Sequence, residues 1–162
     1  PALYYQFQSL IANRRYWLRI GQRLPFDMEG DTIVLRAHHL FCMNTNNVLK
    51  LYHPAASLAL RKIKSRPDSK VKVVIGPDDI CLVCPYWRNG RCERGQDTEE
   101  KNSLRDTKFL EQMGIESGAL IHGSDLFALM RKRVRLDTFQ QICADCIPEI
   151  CFRALVQKSW WE

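Results

Sequence analysis

Two compact cysteine triplets constrain this chain more than any other feature. Cys81, Cys84 and Cys92 lie in DDICLVCPYWRNGRC, and Cys143, Cys146 and Cys151 lie in ICADCIPEIC. Each triplet opens with Cys-x-x-Cys, a spacing that lets two thiolates converge on one metal from a single tight turn, and a third cysteine follows within a short loop. The triplets stand about 50 residues apart, so a shared metal would clip the C-terminal part of the chain onto its middle.

A disulfide framework is the competing use of these cysteines. Against it, the chain carries an odd number of them, seven, and at 162 residues is longer than most disulfide-stapled scaffolds. Metal binding in a reducing compartment, mitochondrial matrix or cytoplasm, suits the charged flanks better. Four cysteine ligands serve zinc, a two-iron or a four-iron cluster equally well. Pro85, directly after Cys84, is a residue common beside cluster ligands, where it stiffens the loop and withholds an amide. The reading places an iron–sulfur cluster on Cys81, Cys84 and Cys92, joined by Cys146, with zinc as the alternative and Cys143 and Cys151 as further metal ligands.

His38, His39 and Cys42, in HHLFC, form a third group. His39 and Cys42 share a helical face at a spacing of three. These three are weaker candidates: extra ligands, an acid or base, or residues packed beside the site. Asp78 and Asp79, just before Cys81, are expected to orient the turn or the metal loop. His53 and His122 are expected to be structural. There is no phosphate-binding glycine loop, no Gly-x-Ser-x-Gly elbow and no His-Glu-x-x-His.

Hydropathy patterning predicts an α+β domain: a small metal-centred unit with a short two-stranded sheet, several helices and two cysteine-bearing loops. Ile33, Leu35 and Ala37 alternate as a first strand, and Val71, Val73 and Ile75 as a second, stopped by Gly76-Pro77. Helices are expected from about His39 to Leu51 and about Ala55 to Ser65, so the two strands can pair in parallel through a crossover. Asp97-Thr98-Glu99-Glu100 looks like a helix start with a capping side chain, supported by Leu104, Leu110 and Met113 and stopped by Gly114. Ser124 is expected to cap another helix, with Leu126, Leu129, Met130 and Val134 on its apolar face. Arg131, Lys132, Arg133 and Arg135 at its far end complement the helix dipole or form a basic contact patch.

Residues 1–30 form a separate region, and residues 31–162 the cysteine-rich metal-binding domain. The first 26 residues hold Arg14, Arg15, Arg19 and Arg23 with no acidic residue, and Tyr4, Tyr5, Tyr16 and Trp17 add aromatic surface. This resembles a mitochondrial targeting segment or a docking arm for other protein subunits. The net charge of +6 favours acidic partners, nucleic acid among them, without choosing one. No run of apolar residues has transmembrane length.

The motifs LRAHHLFC (Leu35 to Cys42), RPDSKVKVVIGPDDICLVCP (Arg66 to Pro85), the GRC ending at Cys92 and the late ICADC with Cys151 resemble those of the family catalogued as domain of unknown function 1284. The resemblance spans roughly residues 33–152 and leaves out the N-terminal region. It implies metal binding, described for that family as iron–sulfur binding, at the matched cysteines, and it implies no reaction. Three functions therefore stand as expectations. The first is an iron–sulfur accessory protein whose centre stabilises the fold or transfers electrons within a larger assembly. The second is a structural zinc subunit of a mitochondrial or ribosomal complex. The third, an enzyme with an open metal position, is disfavoured because open sites seldom need so many cysteines.

Overall fold

A computed structural model of the chain describes residues 32–45, 54–66, 68–95 and 97–143. The N-terminal region, Cys146, Cys151 and His53 lie outside the described residues, as do the side chain of Cys143 and the expected continuation of the first helix to Leu51.

Strand β1 (Thr32–Arg36) runs directly into helix α1 (Ala37–Thr45); helix α2 (Pro54–Ser65) leads to strand β2 (Lys70–Val74). The two strands pair in parallel, with Thr32 opposite Lys70 and Arg36 opposite Val74. Parallel neighbours need a crossover, which α1 and α2 supply. Helix α2 starts at Pro54 rather than Ala55, as suits a proline, whose missing N–H has no helical partner in the first turn. A 3-10 turn (Cys81–Val83) and a hairpin of β3 (Trp87–Arg88) and β4 (Arg91–Cys92) carry the first cysteine triplet. Helix α3 (Thr98–Met113) follows, then strand β5 (Ala119–His122), helix α4 (Gly123–Arg133) and helix α5 (Leu136–Cys143).

The α+β class holds, and the sheet has one strand more than the alternation pattern suggested. β5 lies antiparallel against β2, giving the order β1-β2-β5. Only four residues long, with Leu120 and His122 exposed, it carries too short a pattern to stand out from a loop. One sheet face is apolar: Ile33, Leu35, Val71 and Val73 are fully buried. Leu40, Phe41, Met43, Ala59, Ile63, Phe109, Met113 and Leu126 close the core over it. Phe41 and Phe109 meet edge to face at 5.4 Å, joining α1 to α3. Full burial of such a side chain contributes about 1.5–3 kcal/mol relative to exposure.

Helix starts differ from the local capping rules. α1 begins at Ala37, two residues earlier than expected, because a distant carboxylate receives its first turn: the His38 N–H donates to Asp106 Oδ1 at 2.9 Å. α3 begins where expected, but Asp97 adopts the left-handed conformation (φ 54°) and makes no side-chain cap. Glu99 is instead drawn to Arg36 and to the Cys92 N–H. Gly114 does end α3 in the left-handed conformation (φ 61°), its N–H reaching the carbonyls of Leu110 and Glu111. Leu104 does not support the helix; it is 58% exposed, out of phase with the buried stripe of Asn102, Asp106, Phe109, Leu110 and Met113. α4 starts at Gly123, straight from β5, with no side-chain cap from Ser124; the Gly123 N–H donates to the Ser69 carbonyl.

Candidate metal centre

Two parallel strands end side by side, and the chain leaves each of them carrying polar residues. This places His38 and His39, just after β1, next to Asp78 and Cys81, in the loop after β2. The C-terminal ends of parallel strands are where such folds collect ligands, since the loops there converge while the strands stay fixed.

Asp78 ties the two loops together. Its Oδ2 accepts from the Arg36 N–H at 2.9 Å and lies 2.9 Å from His39 Nδ1; its Oδ1 accepts from the Cys81 N–H at 2.8 Å. Burial pushes the carboxyl group of Asp78 up, but His39 and these two backbone donors outweigh it and hold Asp78 at about 2. Asp79 works beside it on the outer edge of β1, accepting from the Val34 N–H while its own N–H reaches the Val34 carbonyl. Both aspartates orient the loop, as their position before Cys81 suggested.

A second buried carboxylate, Asp106 on α3, holds the other histidine. His38 Nδ1 lies 2.8 Å from Asp106 Oδ1. Asp106 Oδ2 accepts from Arg36 Nε at 3.0 Å and pairs with Arg36 Nη2 at 2.8 Å. Arg36 is fully buried and also reaches Glu99, with Nη2 to Oε1 at 3.1 Å. Its Nη1 lies 3.9 Å from the Cys81 sulfur. Burial disfavours the guanidinium charge, but Asp106 and Glu99 more than compensate and keep Arg36 protonated. Burial first, and the neighbouring His39 second, push His38 down to about 4, so it is neutral at ordinary pH. The two imidazole rings sit with centroids 4.5 Å apart.

Among the described residues, one group brings three metal-ligating side chains together. An imidazole nitrogen of His39, a carboxylate oxygen of Asp78 and the Cys81 sulfur all lie within 4.8 Å of one another. Nitrogen, oxygen and thiolate donors are a set that zinc accepts. Burial pushes the Cys81 thiol far up, so without a cation it stays protonated. A bound metal supplies the charge that deprotonates a coordinating thiol.

The rest of the first triplet lies close by. Cys81, Cys84 and Cys92 are free thiols. The Cys84 N–H donates to the Cys81 carbonyl at 2.9 Å, closing the Cys-x-x-Cys turn. Cys92 pairs with Trp87 across the hairpin and is near enough to Cys84 for its charge to raise that thiol, after burial, the larger cause. Cys42 is half-buried and packs against the core. His122 is exposed, with Nδ1 3.2 Å from the Asp68 carbonyl. Arg131, Lys132 and Arg133 form the exposed last turn of α4. Arg36, Glu99 and Asp106 were not singled out from the sequence. The available signal was Asp106 on the apolar stripe of α3, where a charge needs a buried partner.

These features define an α+β domain with a His/Asp/Cys group able to hold a metal ion. The chain belongs to the family of proteins of unknown function called DUF1284, whose model matches residues 52–151. That stretch includes Asp78, Asp106 and both cysteine triplets, and it begins after His38 and His39. No curated protein and no solved structure matches the chain. No helix among the described residues is long and apolar enough to cross a membrane.

Proposed function

We propose that this chain is a metal-binding protein in which a single zinc or ferrous ion, held by His39, Asp78 and Cys81, fastens the cysteine loop to the strand ends. The observation that carries this reading is the convergence of the three donors within 4.8 Å. Charge supports it as well. Asp106 and Glu99 share the Arg36 guanidinium, while Asp78, buried, receives the backbone N–H groups of Arg36 and Cys81 and meets the His39 ring, so a divalent cation beside Asp78 would offset a buried carboxylate charge. Side chains of His39 and Asp78 are 14% and 0% exposed, which favours a centre that stabilises the fold over one that turns over substrate. An accessory role in a larger assembly, with residues 1–30 as the docking arm, accords with such a centre.

A second reading keeps the iron–sulfur cluster on Cys81, Cys84 and Cys92, completed by Cys146. Two observations favour it. Cys84 and Cys92 are neighbours, and helix α5, which ends at Cys143, packs against α3, the helix that carries Glu99.

Titration of chelator-stripped protein with zinc, followed by thermal melting, separates the readings. Metal binding only the native state raises the melting temperature. Under the mononuclear reading the rise is lost in His39→Ala and kept in Cys84→Ser. Under the cluster reading Cys84→Ser loses the native metal altogether. A rise of wild-type size in His39→Ala would overturn the mononuclear site.

A further inference from the structure

We draw no further inference here: the strongest candidate, the open recess at the foot of the sheet lined by Thr32, Arg66, Asp68, Ser69 and Lys70, carries nothing, because its charged side chains are exposed and of both signs and the unpartnered Ser69 Oγ is sealed from solvent, where no ligand in the recess reaches it.

Discussion

Replacing Asp106 by asparagine keeps the shape of the side chain and removes its charge, which isolates what the buried network does. The carboxylate serves five donors. Oδ2 takes Arg36 Nε (3.0 Å), Arg36 Nη2 (2.8 Å) and the Gly76 N–H (3.3 Å); Oδ1 takes the His38 N–H (2.9 Å) and faces His38 Nδ1 (2.8 Å). Asparagine has one acceptor oxygen and two amide protons. Its better orientation keeps the oxygen toward Arg36 and turns the amide to His38, whose neutral ring can change tautomer and accept. The His38 N–H, in the first turn of α1, is then left facing a donor, at about 1–3 kcal/mol. Arg36, fully buried, keeps only Glu99 as a charged partner. Removing one partner of a buried pair costs about 3–5 kcal/mol, and the whole substitution should fall in that range. For a domain of this size the melting temperature then drops by roughly 10–20 °C. The assay is urea and thermal unfolding followed by circular dichroism, with exposed Lys108→Ala as a control expected within about 0.5 kcal/mol of wild type. A loss below about 1 kcal/mol for Asp106→Asn would refute the claim that this network holds α1, β1 and α3 together.

Further substitutions test other parts of the account. Arg36→Lys replaces a planar fork that spans Asp106 and Glu99 by a single ammonium, and should cost about 2–4 kcal/mol in urea unfolding despite the retained charge. Gly123→Ala would drive a methyl group into the buried Ile63 side chain, near the carbonyls of Ile63 and Ser69; overpacking of this kind costs about 1–3 kcal/mol and is read from thermal melts. Phe109→Ala removes the ring that meets Phe41 and should cost about 3–5 kcal/mol by the same melts.

Local signals carried the strands and helices well where one face is buried. Ile33 and Leu35 alternate against Val71 and Val73, and the parallel pairing follows from the helices between them. β5 escaped because four residues give too little alternation and its partner lies far back in the chain. Helix starts are not legible in the sequence where capping is long-range. The carboxylate at the start of α1 comes from 68 residues away, and no local rule reports it. The site was legible in part. Asp78, Cys81 and His39 each stood out, from the doublet before a Cys-x-x-Cys turn and from the paired histidines. That the three donors meet depends on two strands ending level, which spacing cannot show. Arg36 and Asp106 were invisible as a pair, since each looks like an ordinary surface charge until the fold buries both.

The most direct measurement of the central claim is elemental analysis, with an absorption spectrum, on full-length wild type and His39→Ala purified without oxygen. The account predicts about one zinc or iron per chain in wild type, no visible cluster band, and loss of that metal in His39→Ala with the chain still folded. A metal-free wild type, or wild-type metal content in folded His39→Ala, would contradict it. A broad band from several irons with sulfide would move the centre to the cysteines.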